Sequence, residues 1–91
     1  MSLNRAYYQV QEFHRAFGHP APAAPGLLSP SRKEKRIAWM QEELTEFADA
    51  VDITSQADAM IDLIYFALGT LVEMGVTPGK LFDIVHKANM A

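Results

Sequence analysis

The chain has 91 residues, of which 49% are hydrophobic and 21% charged, and it contains no cysteine. A domain of this size has a core that is only marginally stable, and without cysteine neither a disulfide nor a Cys-based zinc site can reinforce it. Association of several copies, or a different metal, is the expected source of additional stability. The formal net charge of −3, with one basic cluster at residues 32–36, argues against duplex nucleic acid as a partner.

Residues 1–91 are predicted to form a single domain that does not contact a membrane. The N-terminus lacks a basic region followed by an apolar one, which a secretory signal would require. The longest apolar stretch, residues 59–72, is interrupted by Asp62 and is too short to cross a bilayer. A cytoplasmic location is therefore the default prediction.

The first predicted element is a helix from about Leu3 to Phe17, and Gly18 is its expected stop. Its apolar and aromatic residues recur at steps of three and four, which places them on one face. These residues are Tyr7, Val10, Phe13, His14 and Phe17. Residues 18–31 contain four of the five prolines and are predicted to form a proline-rich loop, anchored against the helices by Leu27 and Leu28.

A second helix is predicted from residue 31 or 32 to about Val51. Its apolar stripe consists of Ile37, Met40 or Leu44, Phe47 and Val51. Its opposite side carries four acids, Glu42, Glu43, Glu46 and Asp49. The link at residues 52–56 offers Thr54 or Ser55 as the N-cap of the next helix.

The third helix, from about Ser55 to Met74, is apolar on almost every side. Such a helix is buried all round, either centrally or at a subunit interface. Gly75 ends it, and Thr77-Pro78 is predicted to open a fourth helix that runs to about Asn89. The residues of that helix predicted to point inward are Leu81, Ile84, Val85 and Ala88. With no strand pattern, the expected fold class is all-α, a four-helix bundle completed by oligomerisation into a dimer or a tetramer.

Two groups of carboxylates carry the chemical information. Glu42, Glu43 and Glu46 share one face of the second helix, and Asp58 and Asp62 are one turn apart on the third. Antiparallel packing would bring both groups to a common point. A glutamate-rich face is usually only solvated surface. Asp62, however, lies among apolar neighbours, where an unpaired carboxylate costs several kcal/mol, so it needs a proton, a partner or a cation.

A divalent cation is the preferred account of this acidic cluster. No Lys or Arg occurs between Arg36 and Lys80, so the acidic helices lack an obvious local counter-charge. A hydrogen bond to Asp62 from a Tyr or Lys of another helix is the structural alternative. All-oxygen ligands favour Mg²⁺ or Mn²⁺ over zinc or copper, and such a cation suits transfer of a phosphoryl group to water.

The acidic residues also resemble a known family. EELTE on the second helix, followed by DAMID on the third, is similar to the EExxE…ExxD arrangement of the all-α nucleoside triphosphate pyrophosphohydrolases. This MazG-like superfamily includes dimeric dUTPases and phosphoribosyl-ATP pyrophosphohydrolase. The resemblance extends through VQEFHRAFG, the proline-rich loop and the terminal FDIVHKANMA to nearly the whole chain. It points to a subgroup labelled phosphoribosyl-ATP-pyrophosphohydrolase-like.

The resemblance implies Mg²⁺-dependent cleavage of a nucleoside triphosphate between its α- and β-phosphates, giving the monophosphate and pyrophosphate in nucleotide-pool house-cleaning. The implied metal ligands are Glu43, Glu46, Asp58 and Asp62. Asp58 is included because Ala59 occupies the position of the motif glutamate. The implied catalytic set is Glu42, Glu43 and Glu46, in which Glu42 ligates or positions water.

Four residues are candidate substrate contacts, namely Arg36, Trp39, Lys87 and Asn89. Arg36 is expected on the approach to the acidic site, where it could receive a phosphate. Trp39 could stack on a base, although packing is the commoner role of such a tryptophan. Lys87 and Asn89 match subgroup positions suited to phosphate or sugar. The three histidines lack metal-ligand spacing and are predicted not to bind metal.

Two other classes of function stay open. Because Ala59 replaces the motif glutamate, the first alternative is a nucleotide- or metal-binding module without turnover. Such a module would bind triphosphate and Mg²⁺ but release no pyrophosphate. A purely structural dimerisation domain would keep or gain stability in Glu43→Gln or Asp62→Asn, because like charges would be relieved. The base and the sugar are not determined by the sequence, which resembles the broader subgroup more than the dedicated phosphoribosyl-ATP enzyme.

Overall fold

A computed structural model describes residues 2–91, which form four α-helices and no β-strand. The helices are α1 (Leu3–Phe17), α2 (Pro30–Asp49), α3 (Ile53–Met74) and α4 (Gly79–Met90). Helices α1 and α2 both pack on α3, so α3 is the central element of the chain. The predicted all-α fold class is confirmed over these residues.

The first two helices begin at serine caps. The Ser2 hydroxyl accepts a hydrogen bond from the Arg5 amide, and α1 ends at Gly18, whose φ of +74° is the left-handed conformation predicted for the stop. Helix α2 starts slightly earlier than predicted. Ser29 caps it, and Pro30 occupies a first-turn position where no amide hydrogen is needed.

The starts of α3 and α4 differ from the prediction. Asp52, rather than Thr54 or Ser55, caps α3, because its carboxylate accepts a hydrogen bond from the Ser55 amide at 2.7 Å. Helix α4 starts at Gly79, and the residue at its N-cap, Pro78, makes no capping hydrogen bond through its side chain. Instead, Asn4 Oδ1 on α1 accepts a hydrogen bond from the Gly79 amide at 2.8 Å.

The apolar core lies between α1 and α3. Tyr7 and Val10 of α1 pack with Leu68 and Val72 of α3, and Val72 has no solvent exposure. Tyr7, Val10 and His14 confirm the predicted buried face of α1. The two phenylalanines predicted on that face, Phe13 and Phe17, remain exposed.

The apolar stripe predicted for α2 is mostly uncovered within the chain, and of its helical members only Met40 is half-buried. Ile37, Leu44 and Phe47 are exposed, whereas Arg36 and Glu43 are buried. The reason is that α2 meets α3 through charged and aromatic side chains, so the apolar stripe faces outward.

Two further apolar surfaces are uncovered in the single chain. Helix α3 is not buried all round, since Ile61, Ile64 and Tyr65 are exposed. Helix α4 turns by 120° from α3 and buries no side chain within the described chain. The residues predicted to point inward are therefore exposed, namely Leu81, Ile84, Val85 and Ala88.

The proline-rich loop crosses the C-terminal end of α3 and is held there by its backbone. The Gly26 amide donates to the Met74 carbonyl at 2.9 Å. At Gly75, φ is +68°, and an added Cβ would lie 2.6 Å from the Ala24 carbonyl oxygen, so only glycine fits this crossing. Leu27 is 97% exposed, which contradicts its predicted anchoring role.

Within residues 2–91, no single helix combines the length and the apolar character needed to cross a bilayer. Only α3 and α4 taken together reach that length and composition, and they are sharply bent relative to each other.

Candidate metal centre and adjoining hollow

Three of the four predicted metal ligands meet between α2 and α3. Glu43 and Glu46 of α2 and Asp62 of α3 each place one carboxylate oxygen within 4.8 Å of the other two. These residues are called the carboxylate trio below. They converge because α2 and α3 form an antiparallel hairpin, and because Glu43 and Glu46 lie on one face of α2.

Glu43 is the least solvated member of the trio. It is 8% exposed, and its Oε2 atom has no hydrogen-bond partner within residues 2–91. Burial, followed by the adjacent Glu46 and the charges of Asp62 and Asp58, raises the pKa of Glu43 to about 7. Burial, then Asp58 and Glu46, also raises the pKa of Asp62. The trio therefore concentrates negative charge without a basic partner beside it.

The arrangement of these oxygens fits a small divalent cation. Mg²⁺ binds oxygen at about 2.1 Å, so two of its ligands are about 3.0 Å apart when they are adjacent and about 4.2 Å apart when they lie on opposite sides of the ion. The oxygens of the trio lie within 4.8 Å of one another, so only short side-chain movements separate them from these spacings. The unpartnered oxygen of Glu43 would gain its missing interaction in this way.

Asp58 and Glu42 lie outside the trio. Asp58 is exposed one turn before Asp62, and with Glu46 it lines an open hollow of about 360 Å³. Its charge still raises the pKa of Glu43. Ala59, by contrast, is buried. Asp58 therefore does not join the oxygens of Glu43, Glu46 and Asp62 within this chain. Glu42 is exposed.

The prediction that Arg36 contacts a phosphate assumed a free guanidinium at the acidic site, but Arg36 is engaged by other side chains. Its guanidinium is buried and donates to Glu73 Oε2. Arg32 donates to both oxygens of Glu73, at 2.9 and 2.8 Å. Burial alone would raise the pKa of Glu73, but the hydrogen bonds from Arg32 and Arg36 lower it overall. Glu73 thus supplies a counter-charge for both arginines.

His14 completes this buried network. Its Nδ1–H donates to the Pro20 carbonyl at 2.8 Å, and its Nε2 accepts from Arg36 Nη2 at 3.2 Å. This pattern requires a neutral imidazole. Burial is the main cause that lowers the pKa of His14, and the charge of Arg36 adds to it. Because both ring nitrogens are already engaged, His14 is not available as a metal ligand.

Trp39 forms one wall of a second, half-open hollow of about 230 Å³, called the aromatic hollow below. Its ring stacks on Phe66 at a centroid distance of 5.9 Å, and the Arg36 guanidinium lies 4.9 Å from the ring centroid. The hollow is lined by Phe13, His14, His19, Arg36, Trp39, Tyr65 and Phe66. It adjoins the trio, because Trp39 is one turn from Glu43 on α2.

Glu73 and its two arginines are a feature that the sequence reasoning missed. The facing pairs along α2 and α3 follow one antiparallel register, in which Glu43 faces Asp62, Trp39 faces Phe66 and Arg32 faces Glu73. These facing surfaces are called the seam below. Once the acidic residues are placed opposite each other, equal steps along both helices lead to the Arg32–Glu73 pair. The register of the two helices is therefore the feature from which the Arg32–Glu73 pair could have been predicted.

Lys87 and Asn89 are not brought to the trio by this fold. Both are exposed on α4, whereas the trio is formed by α2 and α3. Their predicted contact with phosphate or sugar therefore stays a prediction, and within a single described chain they do not line either hollow.

The helical fold and the trio together define the class of protein. The chain is an all-α protein whose candidate site consists of carboxylates shared by two antiparallel helices. A family model described as phosphoribosyl-ATP pyrophosphohydrolase matches residues 10–89, so the chain belongs to that family. No curated protein matches the sequence significantly.

Family membership confirms the resemblance to the MazG-like pyrophosphohydrolases. It supports a pyrophosphohydrolase as the class of enzyme. The family typically depends on a divalent metal, and the trio is an acidic cluster of the corresponding kind.

Proposed function

We propose that the chain hydrolyses a nucleoside triphosphate, or a related triphosphate of the phosphoribosyl-ATP type, between its α- and β-phosphates. Mg²⁺ or Mn²⁺ would be held by Glu43, Glu46 and Asp62. The observation that carries the proposal is the buried carboxylate of Glu43, whose unpartnered oxygen lies beside two further carboxylates. The family match supports the reaction class, and removal of unwanted nucleotides is the role that we propose for it.

The residues of the trio differ in access to solvent, and this difference suggests their tasks. Glu43 is buried and Asp62 half-buried, so they fix the position of the cation. Glu46 is exposed, so we assign it the contact with incoming water and substrate. A bound Mg²⁺ would neutralise charge on the phosphates and favour ionisation of water at the site. Attack of water on the α-phosphorus would then break its bond to the oxygen that bridges the α- and β-phosphates. Pyrophosphate would leave with that bridging oxygen, and the proton of the attacking water would pass to solvent.

The test is an assay of pyrophosphate against inorganic phosphate with a panel of ribo-, deoxyribo- and modified nucleoside triphosphates and phosphoribosyl-ATP, with Mg²⁺ present. We expect pyrophosphate and the nucleoside monophosphate in equal amounts. Asp62→Asn and Glu46→Gln should each lower kcat/KM more than about 100-fold, because the loss of a metal ligand removes several kcal/mol of charge stabilisation. The matched control is Glu34→Gln, an exposed acid on α2 away from the trio, which should leave kcat/KM unchanged.

Release of inorganic phosphate instead of pyrophosphate would contradict the proposed bond cleavage. Equal activity of Asp62→Asn and Glu34→Gln would contradict the role of the trio.

A nucleotide-binding module without turnover is the second candidate, because Asp58 stands outside the trio and Ala59 replaces the motif glutamate. It predicts that triphosphate with Mg²⁺ raises the melting temperature although no product forms. Comparison of thermal melts with the product assay separates the two functions.

A further inference from the structure

The side chains that line the aromatic hollow are aromatic rings with the single exception of Arg36. Trp39 and Phe66 form one stacked wall, and the rings of Phe13 and Tyr65 meet edge to face at 5.8 Å. Phe13 is 39% and Tyr65 40% exposed, so both rings present much of their surface to the opening. A flat aromatic molecule that entered the hollow would therefore meet ring surfaces from α1, α2 and α3.

The guanidinium of Arg36 in this hollow is held in a fixed orientation. Glu73 and His14 each accept a hydrogen bond from it, and the Trp39 ring lies against it. Gly69 leaves room for the guanidinium, because a Cβ there would lie 2.7 Å from Arg36 Nη1. Arg36 therefore lines the hollow as a rigid donor group rather than as a mobile side chain.

The aromatic hollow and the carboxylate trio are neighbours on the same two helices. Trp39 precedes Glu43 by one turn on α2, and Phe66 follows Asp62 by one turn on α3. One turn of four residues spans about 6 Å along a helix axis. This spacing is comparable to the ribose that separates a nucleobase from its α-phosphate.

We propose that the aromatic hollow receives the heteroaromatic base of the substrate while its phosphates reach the carboxylate trio. Tyr65, Phe13 and Trp39 supply the stacking surfaces, and Arg36 faces the edge of the base. This inference rests on the proposed function for the identity of the substrate, but binding of the base can be measured without turnover.

The single tryptophan of the chain is a direct probe of the hollow, because Trp39 is the only source of indole fluorescence. Adenosine, guanosine, cytidine and uridine are titrated separately, and inorganic tripolyphosphate with Mg²⁺ is titrated as a ligand that has no base. We expect saturable quenching by at least one nucleoside and none by tripolyphosphate.

Tyr65→Ala tests the stacking surface, and Tyr8→Ala is the matched control, since Tyr8 is an exposed tyrosine of α1 that does not line the hollow. Loss of one stacking ring should weaken nucleoside binding roughly 5- to 150-fold in Tyr65→Ala. Tyr8→Ala should change it by no more than about twofold. Phe13→Ala, which removes the ring that meets Tyr65 edge to face, should repeat the effect of Tyr65→Ala and guards against a folding defect in one variant.

Three results of the binding experiments would overturn the inference: no quenching by any nucleoside, equal effects of Tyr65→Ala and Tyr8→Ala, or a change of oligomeric state in Tyr65→Ala without a change in nucleoside binding. The last result would mean that a second copy covers the hollow. Saturable quenching without hydrolysis would contradict the proposed function alone. Hydrolysis whose kcat/KM is unchanged in Tyr65→Ala would contradict the base site alone.

Discussion

Glu43 determines how the carboxylate trio responds to pH. The pKa of its carboxyl group is about 7 in the folded chain, against 4.5 for an unperturbed glutamate. Between these pH values, the folded chain holds a proton that the unfolded chain releases. The contribution of Glu43 to stability is therefore greatest below about pH 4.5 and is lost as the pH rises through about 7. A cation that ligates Glu43 has to displace this proton.

We predict that Mg²⁺ binds about tenfold more weakly at pH 6 than at pH 8, because Glu43 is mostly protonated at the lower pH. Titration of Mg²⁺ followed by thermal melts or calorimetry at the two pH values measures the ratio. An apparent dissociation constant that is the same at both pH values would rule out Glu43 as a ligand that binds in its ionised form.

Glu43→Gln provides the control in the absence of metal. Because Gln cannot ionise, the melting temperature of the variant relative to that of the native chain should rise from pH 5 to pH 8. The comparison removes the contributions of His14 and Glu73, which titrate in both proteins.

At the scale of the helices, Gly69 allows α3 to approach the buried Arg36. A Cβ at this position would lie 2.7 Å from Arg36 Nη1 and 3.0 Å from His14 Nε2. Both atoms belong to groups that are fixed by hydrogen bonds, so neither can move aside without a loss of contacts.

We predict that Gly69→Ala lowers the free energy of unfolding by about 1–2 kcal/mol, because the clash outweighs the helix propensity gained from alanine. Gly26→Ala is the control. Its Cβ would meet nothing within 4 Å, so stability should stay the same or rise by less than about 1 kcal/mol. Urea denaturation measures both, and a gain in stability for Gly69→Ala would disprove the close approach.

The sequence predicts the helices, and it singles out the three carboxylates that the fold brings together, because local periodicity and local composition are enough for both. Glu43 and Glu46 share a face of α2 whatever the tertiary structure, and Asp62 is conspicuous among apolar neighbours. The order of the helices and the glycine stops at Gly18 and Gly75 follow from the same local rules.

The buried face of α2 could not be predicted in the same way. Hydrophobic periodicity marks Ile37 and Phe47 as inward, but the seam buries Arg36 because Glu73, 37 residues away in sequence, compensates its charge. Such compensation depends on the pairing register of two helices, which periodicity within one helix does not contain. The engagement of His14 by a loop carbonyl is non-local in the same sense.

At the scale of the molecule, three helices present apolar residues that this chain does not cover. The outward stripe of α2, the part of α3 around Ile61 and the whole of α4 are rich in such residues, among them Ile37, Ile61 and Ile84. A monomer of 91 residues with this much apolar surface would be marginal. We therefore propose a homo-oligomer in which further copies cover these surfaces.

We predict that Ile84→Glu shifts the chain towards the monomer, because α4 has no apolar partner within the described chain and a charge at its exposed stripe would oppose association. His86→Glu introduces the same residue on a different side of α4 and should preserve the oligomer. Light scattering coupled to gel filtration gives the mass of each. A native chain that is monomeric at micromolar concentration would refute the proposal.

The two ends of the seam differ in how their charges are balanced. At one end, Arg32 and Arg36 surround Glu73, and at the other end the trio sets like charges against each other. If one helix shifted past the other by one turn, the buried carboxylate of Glu73 would lose at least one of its two arginine partners. Such a loss destabilises the fold by several kcal/mol. The ion pairs therefore make misaligned pairings of α2 and α3 less stable than the native one. Because they fix the alignment, the repulsion among the carboxylates of the trio can persist until a cation relieves it.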